Sequence, residues 1–188
     1  MKLHIKYMVS MRCKELVKNE LIRLGVQSEY VVVDLGIVEV LQDMTEEQRL
    51  ELEQNLSKAG LELLDDKKSL LIERINSVIS EMIYYSEDLP KVNYSEHISE
   101  RLGYDYTYLS NLFSEVKGIT IQQFIIFHRI ERVKELLLYD ELNLTEISFK
   151  LGYSSVAHLS NQFKKVTGLS PSYFKELKQK RISNLHEN

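Results

Sequence analysis

Apolar residues recur with two different periods along this chain, and the change comes near Asp65-Asp66-Lys67-Lys68. Before it, Leu3-Ile5-Tyr7 alternates as a half-buried strand does, and Cys13-Leu16-Val17-Leu21-Leu24 marks one face of a helix closed by Gly25. Tyr30-Val31-Val32-Val33 and Ile37-Val38-Val40-Leu41 flank the turn Asp34-Leu35-Gly36, the pattern of a hairpin. Thr45, with Glu47 and Gln48 in the first turn, opens a second helix that runs to Lys58-Ala59-Gly60, and Leu61-Glu62-Leu63-Leu64 reads as a last short strand.

After the charged stretch the period is helical throughout. One helix is expected from Ser69 to Tyr85, with Leu70, Leu71, Ile75, Val78, Ile79 and Met82 on one side, and Leu89-Pro90 breaks the chain before the next helical pattern. A longer helix, Ile121 to Leu138, spans about 27 Å at ~1.5 Å per residue. Ser170-Pro171 opens a final helix through Tyr173-Phe174-Leu177, and the polar tail from Arg181 is expected to fray. The pattern predicts an α+β ferredoxin-like domain (βαββαβ) over residues 1–66 with both helices on one sheet face, then an all-α domain over 67–180 and a tail over 181–188.

The helical part contains one device twice. Ile98-Ser99-Glu100-Arg101-Leu102-Gly103-Tyr104 with Leu109-Ser110-Asn111-Leu112-Phe113 returns as Ile147-Ser148-Phe149-Lys150-Leu151-Gly152-Tyr153 with Leu159-Ser160-Asn161-Gln162-Phe163. The echo continues through Val116 and Gly118, then Val166 and Gly168. Each copy sets a Gly-aromatic turn between two short helical patterns, which is the layout of a helix-turn-helix.

Composition changes this picture little. Hydrophobic content of 44% with 28% charged residues fits a soluble chain with an ordinary core. No apolar run approaches the ~20 residues of a membrane helix, the opening residues lack a signal-peptide stretch, and one cysteine fits a reducing cytoplasm. Charge matters more. Residues 1–68 hold 10 Lys+Arg against 13 Asp+Glu, and residues 69–180 hold 13 against 14, so neither half is a basic module and any attraction to nucleic acid must be local.

Two helix-turn-helix units joined by a long helix, the second ending in Phe163-Lys164-Lys165, Gly168, Ser170-Pro171 and Phe174-Lys175, resemble the DNA-binding domain of AraC-type transcriptional regulators over roughly residues 69–178. The extra residue of that family's second turn is present: Tyr104 to Leu109 is five steps and Tyr153 to Leu159 is six. The resemblance implies seven helices and two recognition helices entering adjacent major-groove segments of double-stranded DNA.

Periodicity assigns faces to the two recognition helices. Leu159, Phe163 and Val166 are expected to be buried, which turns Ala157, Asn161 and Lys164 outward with Ser160 and Lys165 beside them. Leu109, Phe113 and Val116 do the same in the first unit and expose Thr107, Asn111 and Ser114, flanked by Ser110 and Glu115. The DNA-contacting set is therefore Thr107, Ser110, Asn111, Ala157, Ser160, Asn161, Lys164 and Lys165. The family often carries Arg at the two Asn positions. Asn pairs with adenine N6 and N7, and Ala or the Thr methyl suits the thymine methyl, so the stripe suggests A·T readout. A plain surface or phosphate role for the two asparagines competes with it. Lys164 and Lys165 read as phosphate contacts. Tyr104 and Tyr153 are assigned to the core. Arg129 could reach a phosphate or pack its stem with an ion pair to a nearby Glu, and His158 could touch the backbone or stand solvated.

The first segment resembles heavy-metal-associated domains, whose Met-x-Cys-x-x-Cys loop matches Met8-Val9-Ser10-Met11-Arg12-Cys13 with Ser10 in place of the first cysteine. Soft-metal capture uses two thiolates, so no metal or other cofactor is expected. Catalytic motifs and Gly-rich phosphate loops are absent, which argues against an enzyme. Three functions compete: a transcription regulator whose N-terminal domain dimerises or senses, a metal-responsive or metal-handling protein built around Cys13, and a protein-interaction module on a DNA-binding fold. Candidate partners are DNA, RNA polymerase and a second copy of the chain, with no membrane.

Overall fold

The computed structural model describes residues 1–27, 31–41, 43–85, 93–139 and 142–186. Tyr30, Leu89 and Pro90, used above to delimit elements, lie outside them. The chain folds as two compact units, Met1–Asn76 with Ile98–Ile121, and Ser77–His97 with Gln122–Asn188.

The first unit begins with β1 (Lys2–Lys6), α1 (Met11–Arg23), β2 (Val31–Asp34), β3 (Ile37–Val40), α2 (Glu46–Lys58) and β4 (Glu62–Leu63). The strands form one sheet in the order β2-β3-β1-β4, every neighbour antiparallel, with Leu3 opposite Val38, Val33 opposite Val38 and Ile5 opposite Leu63. Leu3, Ile5, Val38 and Val40 from the sheet close on Val17 and Leu21 of α1 and Leu52 and Leu56 of α2, so both helices cover the same face. Their starts are chemically fixed. The Ser10 hydroxyl accepts the Cys13 N–H, and Thr45 forms a reciprocal capping box with Gln48. Period two sends His4 to the opposite face, where α3 (Asp66–Ser80) sets Glu73 Oε1 3.1 Å from His4 Nε2.

That unit also holds the end of α4 (Tyr94–Leu102) and all of α5 (Tyr106–Lys117). The second unit is built on α6 (Ile121–Tyr139), α7 (Leu144–Lys150), α8 (Val156–Thr167) and α9 (Pro171–His186). Ile130, Val133 and Leu137 of α6 meet Ile147, Leu151, Leu159 and Phe163, with Phe174 of α9 set edge-on to Phe163 at 5.6 Å.

Four features depart from the sequence pattern. Tyr7 lies outside β1 with φ 64° and turns the chain rather than extending the alternation. Leu41 is exposed beyond the end of β3. On α3, which starts three residues earlier than expected, Leu70 is exposed and Ile72 is fully buried, because the packed face is centred on Ile72, Ile75 and Ile79 at i, i+3 and i+7. α9 continues to His186, past the position where a frayed tail was expected.

Candidate nucleic-acid interface

Each helix-turn-helix pivots on a glycine in the left-handed region, Gly103 at φ 74° and Gly152 at φ 66°. The recognition helices beyond these glycines carry strong N-caps. Asp105 accepts from the N–H groups of Thr107 and Tyr108, and Ser155 accepts from His158 N–H. Asp105 stands two residues after its glycine and Ser155 three, and the aromatics beside the two glycines differ in burial. Tyr153 is 6% exposed, whereas Tyr104 is 47% exposed and stacks on Tyr108 with ring centroids 5.7 Å apart. Only the second tyrosine belongs to the core. The exposed Tyr104 and Tyr108 pair flanks Thr107 and extends the outward surface of α5; its i, i+4 spacing is the signal that could have found it.

Tyr153 also decides the role of Arg129. The guanidinium lies 3.9 Å from the centroid of the Tyr153 ring and donates through Nη2 to the Leu151 carbonyl, and the side chain is buried. Arg129 thus packs its stem on the helical core, as one of the two sequence readings had it, and braces α6 against the turn of the second unit with the Leu151 carbonyl and the Tyr153 ring where a Glu partner was expected. Burial pushes the Tyr153 phenol above its ordinary value. His158 is held at the edge of that ring, with Nδ1 3.0 Å from Ser154 Oγ.

Both recognition helices present an outward stripe. On α8, Leu159 and Phe163 are fully buried while Ala157, Asn161, Lys164 and Lys165 are exposed and Ser160 is half-buried. On α5, Leu109, Leu112, Phe113 and Val116 are buried, Thr107 and Asn111 are exposed, and Ser110 and Ser114 are half-buried. Within each helix the named residues share one face. Val166 departs from the expected pattern: it is 38% exposed, against 1% for its counterpart Val116. Lys164 and Lys165 sit in the last turn of α8, where cations also complement the helix dipole.

The loop resembling a metal site is organised differently. Met8 is buried in the sheet core, Met11 is exposed, and the Ser10 hydroxyl lies 3.2 Å from Cys13 Sγ, a hydrogen bond that lowers the thiol below its ordinary range. Ser10 serves as the cap of α1. Among the described residues no group of three or more His, Cys, Asp and Glu side chains is placed to hold a metal ion, and no helix is long and apolar enough to cross a membrane.

Likeness to known proteins concentrates in the region that carries these helices. Residues 98–176 match the helix-turn-helix domain family. Over 113 residues, 60% of the chain, it is 30% identical to a Staphylococcus aureus protein described as an uncharacterized HTH-type transcriptional regulator, and it spans 14% of that protein's length. The C-terminal domain of AraT, a response regulator from Geobacillus stearothermophilus, aligns with a TM-score of 0.50 and 29% identity over 57% of this chain and 84% of that one. The DNA-binding domain of AdpA, a global transcriptional factor solved in complex with a target DNA, shares the fold with a TM-score of 0.50 and 18% identity over 59% of this chain and 94% of that one. The likeness thus places a helix-turn-helix domain over residues 98–176.

Proposed function

We propose that the chain is a sequence-specific DNA-binding transcription regulator in which α5 and α8 enter adjacent major-groove segments of double-stranded DNA. The observation that carries this reading is the pair of capped, exposed recognition helices centred on Asn111 and Asn161, with Lys164 and Lys165 in the last turn of α8. Thr107, Ser110, Asn111, Ala157, Ser160 and Asn161 are assigned to base edges and sugar, and Lys164 and Lys165 to phosphate. The asparagines favour A·T pairs at two positions about one helical turn, ~10 base pairs, apart.

Residues 1–66 are read as a ferredoxin-like domain, supported by the strand order β2-β3-β1-β4 and by α1 and α2 lying on one sheet face. We assign it a sensing or dimerising role. The edge strand β2, with Val32 62% exposed, supports pairing with a second copy. RNA polymerase is a further candidate partner of a bound regulator.

The test is selection of duplexes from a random pool by the full chain, and then binding at increasing salt. The expected outcome is an A·T-containing consensus with two half-sites and an affinity that falls as salt rises. A folded chain that enriches no duplex would overturn the reading.

A further inference from the structure

The two recognition helices end differently. At the end of α5 the Glu115 carbonyl, one of the carbonyls a helix leaves without an internal partner, accepts the Tyr7 N–H at 2.8 Å. Glu115 Oε2 lies 3.0 Å from Lys6 Nζ, which also meets Glu62 at 3.1 Å. The β2–β3 turn closes over the next residue: Gly36, at φ 74°, approaches so near that an added Cβ would stand 1.9 Å from the Val116 carbonyl oxygen. Lys117 is half-buried, and desolvation, opposed by the charges of Glu73 and Asp34, lowers its ammonium below the ordinary value. Tyr7 keeps a left-handed backbone that few side chains tolerate, held there by its bond to Glu115.

At the corresponding positions of α8 stand Lys165, Val166 and Thr167. Lys165 and Val166 are exposed, and the Thr167 hydroxyl closes the helix end locally, donating to the Phe163 carbonyl and accepting the Leu169 N–H. One repeat therefore turns its last helical turn to solvent as a basic patch. The other has the same turn seated on the sheet.

We infer that Lys6, Tyr7 and Gly36 are positioning residues for the first recognition helix: the sheet acts on DNA binding by fixing the last turn of α5, and so sets affinity at the α5 half-site alone. This rests on the DNA-binding reading above. An ion pair and a backbone hydrogen bond flank the buried Val116 at this contact, so a change at the β1 end or the β2–β3 turn reaches Asn111 and Ser114 through one rigid helix.

The experiment uses the full chain and a duplex selected by the wild type, with the α5 and α8 half-sites identified by loss of footprint in Asn111→Ala and Asn161→Ala. Lys6→Glu, which sets like charges against Glu115 and Glu62, is expected to weaken protection of the α5 half-site by about 2- to 30-fold, the span of measured couplings between linked sites. Protection of the α8 half-site should hold. Adding Glu115→Lys to Lys6→Glu restores the opposite sign and should recover the first half-site, a rescue that general destabilisation would not give. Amide exchange in the free protein should quicken in the last turn of α5 in Lys6→Glu and return in the double variant. Equal weakening at both half-sites, unchanged exchange, or changed exchange without a change at the first half-site would overturn the inference. A wild type that footprints no duplex would instead overturn the DNA-binding reading, and the positioning role with it.

Discussion

Asn161 and Lys164 stand one turn apart on the same exposed face of α8, yet they are chemically assigned to different parts of DNA. Asn161→Ala should cost about 1–3 kcal/mol on a cognate duplex and relax preference at one half-site, while Lys164→Ala should weaken binding to every sequence alike and lower the salt slope by about 1. Titration of cognate and scrambled duplexes at several salt concentrations separates the two. If Asn161→Ala weakened both duplexes equally, Asn161 would be a backbone contact. The asparagines could be read from the recurrence of Leu159 and Phe163; the exposure of Val166 could not, because periodicity marks a face without saying whether anything covers it. Val116 is buried under a turn some 80 residues away in the chain, while Val166 stays exposed. His4 offers a second test at this scale. Burial lowers its imidazole, against the opposing pull of Glu73, so the folded value lies below the ordinary value of 6.5 and folding favours the neutral ring. Its contribution is fully present above pH 6.5 and is lost as pH falls from there through the folded value. Thermal melts between pH 7.5 and about 5 should show a fall in Tm that His4→Gln flattens; an identical fall in the variant would assign it to other groups.

At the scale of elements, caps and glycines decide where helices start and which side chains turn inward. Asp105 satisfies two N–H groups at the start of α5, and Ser155 satisfies one at the start of α8. Replacing either by Ala should cost about 1 kcal/mol, read by denaturant unfolding, with Asp105→Ala the larger loss. A null effect at Asp105 would mean that tertiary contacts alone hold that helix. Arg129→Met keeps most of the stem and removes both the Tyr153 ring contact and the bond to the Leu151 carbonyl, so it should destabilise the second unit by about 1–3 kcal/mol. A Met variant that unfolded like the wild type yet bound DNA more weakly would return Arg129 to the phosphate role. The helix periods, both turns and the added residue of the second turn were legible in the sequence. The burial of Tyr153 beside the exposure of Tyr104 was not, since it depends on what packs against the ring, as Arg129 does on Tyr153.

For the whole molecule, the division into units differs from a simple cut between a sheet domain and a helical domain. α5 packs with residues 1–76, although it lies beyond the charged stretch where the period changes. A chain starting near Lys68 should therefore lose the cover of Val116, the cap on the Glu115 carbonyl and the His4 contact of Glu73. Its melting temperature should fall by several degrees, in keeping with a loss of a few kcal/mol for a domain of this size, and α5 should exchange amides faster than α8. Unchanged exchange in α5 would show that the helix-turn-helix region stands independently. Light scattering of the full chain checks the pairing assigned to the β2 edge: a concentration-dependent dimer is expected, and a monomer at high concentration would remove that role.

Local terms are written in the order of residues: strand and helix periods, the doubled device, the caps, and the outward asparagines and lysines. Each arises from interactions within a few residues, whose spacing along the chain is their spacing in space. What covers what is settled by packing between distant segments. The burial of Val116 beside the exposure of Val166, the inward turn of Tyr153, the use of Arg129 as a brace and the seating of α5 on the sheet all depend on contacts between residues distant in the chain. Such contacts leave no period behind. They are set by how closely two backbones approach, as Gly36 does to Val116, and by which buried carbonyl finds a donor.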